Sequence, residues 1–562
     1  MTSPAKVLCN LELTCMVFQW LEVVALEDAG IEMDYEVKPE LPQAWTSPFA
    51  CLARVSTAFF HASTEVLWER LGSLEPFFGY VLPADKDAKG RPTRHLSYKA
   101  HELTSKHRER FQLYSTSPKM YPAWMFHLFD SEYRPKVLFP SLQRLCLASQ
   151  ATLALYVMQN CIPNVKCIVV DFDGKSDFQT RDNTKAIATS LSQRAIALTG
   201  FEVSQPVTAE LIGYISEMKS LSFLKITIVA KANGDVKTLD LERLARLPFL
   251  RKLHIDQDFD EDDQSLASMM PTEPIDLQHI AEQKTKFTQL RELRVLANGT
   301  TQFHVAMALL PAGLLRLDLV MAQDVVNIQT TLAPLVVAIY ANRNPSLSYL
   351  DVGVDDTDNR EATTEALAPL RQNPQYTNLE PFLDSIRSLS SLSHLAFIDV
   401  PVFAVDFVPK VLEITSRLPL LKTLVVDPNP VTDRNADALV LPPLEALEQI
   451  ASSNPNLERL VLVLDMTHAI PTLSDDKTMT HGLKSLQITQ FDDPNYDPEE
   501  KFRLARYLES LFPRLEIDSS AWDEDTDEHG FWESIGQMLR FSRDSRARLL
   551  RQLEKSQTKG WP

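Results

Sequence analysis

Glycine and cysteine are both scarce in this chain. It has 15 glycines among 562 residues, whereas average usage of about 7% would give roughly 40. Loops that cradle phosphate groups depend on glycine because the backbone must approach the ligand closely, so there is little material for such loops. The six cysteines all fall in the first third, and no two form Cys-x-x-Cys. A disulfide framework or a zinc ribbon is therefore not indicated, and we expect buried free thiols.

The usual sequence signs of catalysis are missing too. The chain contains no Gly-x4-Gly-Lys-Ser/Thr, Gly-x-Ser-x-Gly or His-Glu-x-x-His pattern, which are the signatures of phosphate, nucleophile and zinc chemistry. His101 and His107 stand six residues apart, which does not place both rings on one helical turn. We therefore assign no catalytic residue and expect a non-enzyme without cofactor or metal.

An excess of positive charge is also absent. The chain has 56 Lys and Arg against 75 Asp and Glu, a net charge of −19, which argues against a surface dedicated to nucleic-acid phosphates. The apolar stretch from Val7 to Leu26 is interrupted by Glu12, Gln19 and Glu22, so it predicts a helix packed on protein instead of a signal or membrane segment. We expect a cytoplasmic or nuclear protein that binds neither nucleic acid nor membrane.

A repeated pattern dominates the chain from residue 139 onward. A loop residue, often Pro, precedes Leu-x-x-Leu-x-Leu, in which other apolar residues can replace each Leu. The spacing between copies runs from 23 to 45 residues, longer and less regular than the roughly 20 to 29 residues of typical leucine-rich repeats. Counted from the first Leu position, twelve candidate copies begin at Leu142, Val165, Leu198, Leu224, Leu250, Leu290, Leu314, Leu347, Leu392, Leu421, Leu457 and Leu483.

This pattern predicts short strands that stack in parallel. The last four residues of the motif alternate, so aliphatic side chains enter one core while their neighbours face outward. Segments with helical spacing, such as Ala209 to Met218 and Phe407 to Leu418, can cover the back of the sheet. Leu-x-x-Leu also occurs in amphipathic helices, but the preceding Pro, Ser or Asn favours the α/β leucine-rich-repeat solenoid, with parallel strands on its concave face.

The outward positions two and four residues after each first Leu form two rows on that concave face. Four strands about 4.8 Å apart span roughly 15 Å, and mixed charge with a tyrosine suits specific recognition of a peptide or protein surface. Ordinary solvated strand residues are the alternative interpretation. In the central four units the outward residues are Lys252, His254, Glu292, Arg294, Arg316, Asp318, Tyr349 and Asp351.

A second signature lies at residues 50–83, ACLARVSTAFFHASTEVLWERLGSLEPFFGYVLP. Leu52 and Val55 recur at helical spacing, and Leu67 and Trp68 belong to a second apolar face, which predicts two short helices. The apolar-Ala-x-Val stretch, the aromatic pair and the Leu-Trp-x-x-Leu ending resemble the second half of an F-box. Together with the repeats, the chain resembles fungal F-box/leucine-rich-repeat proteins, although Leu41-Pro42 lies only 13 residues before Val55, closer than the family pattern places it.

The resemblance implies a substrate-recognition adaptor of a cullin-RING ubiquitin ligase. A Skp-type subunit would then contact Leu52, Val55, Leu67 and Trp68, while the solenoid would bind a protein substrate. These four residues can equally be the core of a helical domain. A leucine-rich-repeat scaffold without ligase contact therefore stays open as the alternative function.

Four regions follow from these patterns. Residues 1–83 form a helical F-box-like domain and residues 84–138 a linker with the solenoid's N-terminal cap. Residues 139–515 form the solenoid of about 12 irregular units. Residues 516–562 comprise an acidic segment, with six acids from Asp518 to Glu528, and an apolar, Arg-rich helix. We expect this helix to cap the last unit instead of binding membrane or nucleic acid.

Overall fold

Short parallel strands alternate with helices along the described part of the chain. The computed structural model describes residues 120–122, 144–147, 165–171, 178–193, 198–229, 240–258, 287–297, 299–309, 311–322, 333–355, 380–402, 406–430, 440–471, 481–489, 496–517 and 527–559. The F-box-like residues 50–83 and nearly all of the expected linker lie outside these ranges. The chain divides into two units, Met1–Ile228 with Arg246–Phe249 and Val229–Ala245 with Leu250–Pro562.

Thirteen strands lie in the described ranges. They are β1 Met120–Pro122, β2 Arg144–Leu147, β3 Cys167–Val170, β4 Gly200–Pro206, β5 Phe223–Val229, β6 Lys252–Asp258, β7 Glu292–Leu296, β8 Arg316–Ala322, β9 Tyr349–Asp355, β10 His394–Val402, β11 Thr423–Pro430, β12 Arg459–Val463 and β13 Ser485–Thr489. The helices are α1 Phe178–Gln193, α2 Ala209–Ile215, α3 Gly299–Leu309, α4 Ala333–Arg343, α5 Glu380–Arg387, α6 Phe407–Thr415, α7 Ala446–Ser453, α8 Pro498–Leu511 and α9 Asp527–Lys559, with a 3-10 helix at Leu241–Arg246.

Neighbouring strands pair in parallel and in chain order. In the first unit β1 to β5 pair successively, and in the second unit β6 to β13 do so. At β3, β4 and β6 to β12, the carbonyl of the residue just before the strand accepts from two successive N–H groups of the next repeat. The Arg251 carbonyl accepts from the N–H groups of Arg291 and Glu292 at 2.8 and 2.9 Å. This doubled hydrogen bond recurs at each pairing from β6 to β13 and fixes the register.

The aliphatic positions of the motif point into the core beside the helices. In β7 the side chains of Leu293 and Val295 are fully buried, while Arg294 between them is exposed. Phe397 of β10 meets Phe382 of α5 and Phe407 of α6 edge to face, with ring centroids 5.7 and 5.6 Å apart. The parallel strands with interleaved helices confirm the predicted α/β repeat fold of the leucine-rich type.

One predicted repeat start was wrong. The repeat that contains β5 begins at Leu221, not Leu224, because the Thr199 carbonyl accepts from the N–H groups of Ser222 and Phe223. Leu224 therefore occupies the second aliphatic position. Ile226 and Ile228, which the shifted alignment placed on the outer face, are fully buried.

Buried asparagines join the turn of one repeat to the repeat before it. Asn344, in the Asn-Pro turn ahead of β9, donates from Nδ2 to the Tyr340 carbonyl at 2.7 Å. Its Oδ1 accepts from the Leu314 N–H at 2.8 Å. Asn454 likewise donates to the Thr415 carbonyl at 2.8 Å. The Asn-Pro pairs that mark repeat starts in the sequence therefore supply hydrogen bonds that buried turn backbone needs.

The Arg-rich C-terminal helix, α9, packs against α8 at the end of the second unit. Its first half buries Trp532 and Ile535, which are 1% and 0% exposed. The carboxylate of Glu509 on α8 is 3% exposed; it accepts from the Ser542 hydroxyl at 2.5 Å and lies 3.5 Å from Arg546. By contrast, Phe541 is 71% exposed. The helix is therefore held by its first half and by one buried carboxylate.

Truncating Trp532 should loosen α9. We expect Trp532→Ala to lower the free energy of unfolding by about 3 to 5 kcal/mol, because a large buried side chain leaves a cavity. Phe541→Ala is the matched control on the same helix and should change it by less than about 0.5 kcal/mol. Denaturant unfolding, with limited proteolysis of α9 as a second readout, measures both. Equal losses in the two variants would contradict the packing of α9.

Candidate partner-binding face

All eight residues predicted for the concave face lie on one side of strands β6 to β9. This side, opposite the buried aliphatic positions, is termed the open face. The strand register aligns Lys252, Glu292, Arg316 and Tyr349 in one row. It aligns His254, Arg294, Asp318 and Asp351 in the second row. The repeat motif thus brings together side chains that are about 100 residues apart in the sequence.

Glu292 lies at the centre of a group of basic side chains. Its carboxylate is 3.3 Å from Lys252 Nζ, 3.7 Å from His254 Nε2 and 3.9 Å from Arg316 Nε. The interaction with His254, followed by the charges of Lys252 and Arg316, lowers the pKa of Glu292 to about 2 against the opposing effect of burial. Glu292 is therefore ionised at neutral pH and holds three basic groups around it.

Asp318 is the most enclosed charged group of the open face. Its side chain is 12% exposed, and its Oδ2 lies 3.8 Å from Arg294 Nε and 4.0 Å from Arg316 Nη2. Burial, and then the neighbouring Asp351 carboxylate, raise the pKa of Asp318, while Arg294 and Arg316 oppose the rise. Two guanidinium groups on adjacent strands thus converge on one carboxylate oxygen.

An aromatic stack lies at the β9 and β10 end of the charged region. The guanidinium carbon of Arg316 lies 4.1 Å from the ring centroid of Tyr349, and the His394 ring stacks on Tyr349 at 3.9 Å with an interplanar angle of 4°. The Tyr349 hydroxyl donates to Asp351 Oδ2 at 3.2 Å. Burial and the nearby Asp351 charge raise the pKa of this hydroxyl. The sequence interpretation missed His394, although the same position rule applied to the repeat at Leu392 identifies it.

The second row of the open face becomes apolar at β10. At the position that holds His254, Arg294, Asp318 and Asp351 in the earlier strands, β10 to β12 carry Ala396, Val425 and Val461. These three form a buried apolar cluster, with exposed fractions of 1, 7 and 5%. The contiguous charged cluster of the open face therefore covers β6 to β9 and ends at His394 of β10, while the first row continues with Thr423 and Arg459.

The remaining predicted site residues, Leu52, Val55, Leu67 and Trp68, lie outside the described residues. Within the described ranges no group of three or more His, Cys, Asp or Glu side chains could hold a metal ion. No helix in these ranges is both long enough and apolar enough to cross a bilayer.

Comparisons with known proteins return structural likenesses but no sequence match. No family model matches the chain, and no curated protein matches it. A solved structure of a TLR13–ssRNA13 complex aligns with 68% of this chain at 14% identity and a TM-score of 0.26. The aligned part spans about half of that receptor chain, 54% of its length. A likeness of this size supports no conclusion about function, and the fold assignment rests on the strand pairing of the chain itself.

Replacing Glu292 should make the free energy of unfolding less dependent on pH between pH 4.5 and pH 2. Because folding lowers its pKa from 4.5 to about 2, its stabilising contribution is fully present above about pH 4.5 and is lost as the pH falls toward 2. We expect Glu292→Gln to be less stable than the native chain at pH 7, with the difference shrinking between pH 4.5 and pH 2. Urea unfolding at several pH values measures this difference. A difference that stays constant over that range would contradict the central role of Glu292.

Proposed function

We propose that this protein is a non-catalytic adaptor whose open face selects a protein partner. The observation that supports the proposal is the compact cluster of charged and aromatic side chains on β6 to β9. Arg316 there contacts Glu292, Asp318 and the Tyr349 ring within about 4 Å. Arginine and tyrosine are the side chains most enriched at binding hot spots, and opposed charges discriminate between partners. A rigid parallel sheet fixes their positions before a partner arrives, which reduces the entropy lost on binding.

The second half of the proposal concerns residues 50–83. Their resemblance to an F-box supports contact with a Skp-type subunit through Leu52, Val55, Leu67 and Trp68. The protein then acts as the substrate-recognition subunit of a cullin-RING ubiquitin ligase. No covalent step belongs to this chain, because an adaptor acts by raising the effective concentration of a substrate near the ubiquitin carrier.

Co-purification tests the ligase contact. We expect the full chain to recover a Skp-type subunit when the two are expressed together, and the double variant Leu67→Asp, Trp68→Asp to lose that recovery. A charged carboxylate in an apolar contact must be desolvated without a partner, which costs several kcal/mol. The matched control is Arg294→Gln with Arg316→Gln, which alters the open face and should recover the Skp-type subunit normally.

The same experiment distinguishes the ligase adaptor from the alternative, a scaffold without ligase contact. The short interval between Leu41-Pro42 and Val55 favours a leucine-rich-repeat scaffold that makes no ligase contact. A chain that folds normally, binds partners through the open face and does not recover a Skp-type subunit would select the scaffold. Recovery that is unaffected by the Leu67 and Trp68 substitutions would exclude these residues as the adaptor site.

A further inference from the structure

Charges on the open face lie at different depths. Arg294 and Arg316 have side chains that are 46% and 45% exposed. The side chains of Glu292, Asp318 and Asp351 are only 21, 12 and 23% exposed. A partner that approaches β7 and β8 therefore meets guanidinium groups first, with the carboxylates beneath them.

The two guanidinium groups keep donors available. Their ion-pair distances, 3.8 to 4.0 Å, are longer than hydrogen bonds. Among the described residues neither guanidinium donates a hydrogen bond within 3.5 Å. Each arginine carries five N–H donors in a planar fork, a geometry that matches two oxygens of one oxyanion. The carboxylates beneath orient the forks without consuming these donors.

The pair is also held in place. Arg294 and Arg316 converge on the same oxygen of Asp318, while the Arg316 guanidinium stacks on Tyr349, which His394 supports from the opposite side. Stacking and a shared carboxylate restrict the rotamers of both arginines. Less side-chain entropy is then lost when a ligand binds.

We infer that Arg294 and Arg316 form a receptor for a side-chain carboxylate, so that the partner docks on the open face through an exposed Asp or Glu. This inference rests on the proposed partner-binding function of that face and adds the chemistry of the group it selects. Charge decides between a carboxylate and a phosphate. The three carboxylates offset the cationic side chains Lys252, Arg294 and Arg316. The region therefore has little net positive charge to compensate for desolvating a phosphate dianion, and a singly charged ligand is favoured.

The chain supplies a matched control for this pair. Arg459 occupies the same row position in β12 and is exposed. It lies four strands from Arg316, roughly 19 Å along the sheet. Substituting it removes an arginine from the same face and leaves the Arg294–Arg316 pair unchanged.

A phage-displayed library of random 12-residue peptides, selected on the full-length protein, tests the inference. We expect the selected peptides to be enriched in Asp and Glu. Fluorescence polarisation with a synthetic selected peptide should show at least tenfold weaker binding to Arg294→Gln with Arg316→Gln, because charge-assisted hydrogen bonds are lost. Arg459→Gln should stay within about twofold of the native chain. Thermal unfolding confirms that each variant is folded, and the single arginine variants replace the double variant if it is not.

The outcomes distinguish this inference from the proposed function. Selected peptides without acidic enrichment, or with equal affinity for the double variant, would overturn the carboxylate receptor and leave a partner-binding face. Tighter binding of a version with phosphoserine in place of the key acid would overturn the carboxylate in favour of a phosphate. A selection that returns no binding peptide would remove both the receptor and the proposed function of the open face.

Discussion

The doubled hydrogen bond between successive repeats is the interaction on which the described architecture depends. At β3, β4 and β6 to β12, a single carbonyl at the second position of the motif accepts from two consecutive N–H groups of the following repeat. Because both donors are fixed, a strand cannot slip by one residue, and a slip would exchange its buried and exposed side chains. Leu293 and Val295 stay in the core, and Glu292 and Arg294 stay on the open face, for this reason. The helices and loops between the strands vary in length without disturbing it.

The order of the strands in the sheet determines which side chains are neighbours on the open face. Lys252, Glu292, Arg316 and Tyr349 come from four separate repeats, and each stands at the same position of its motif. Parallel pairing then places them side by side. Glu292 lies beside the basic groups of Lys252 and Arg316, and the Tyr349 ring contacts the planar groups of Arg316 and His394. Substituting any one of these side chains changes the environment of its neighbours on both adjacent strands, so their effects on binding should not be additive.

The sequence predicts this face well because it depends on a local pattern. Eleven of the twelve repeat starts predicted from leucine spacing match strands β2 to β4 and β6 to β13, and the position rule then identifies eight residues of the charged cluster; strand β1 is not predicted by the pattern. It fails at β5, where Leu221, Leu224 and Ile226 offer aliphatic residues in more than one register and only the backbone pairing decides between them. The depth of each charge could not be predicted either. Whether Asp318 lies beneath Arg294 depends on side-chain packing between repeats, which no single motif encodes.

The contacts of Glu509 limit where the C-terminal end of the chain can be truncated. Its carboxylate lies beneath α9, where only Ser542 and Arg546 meet its two oxygens within the described residues. Cutting the chain between α8 and residue 546 would therefore expose apolar surface and also leave the buried Glu509 side chain without Ser542 and Arg546. A shortened protein should end beyond Arg546, because α8 and the first two-thirds of α9 pack together and α8 itself buries Leu504 and Leu508 against the repeats.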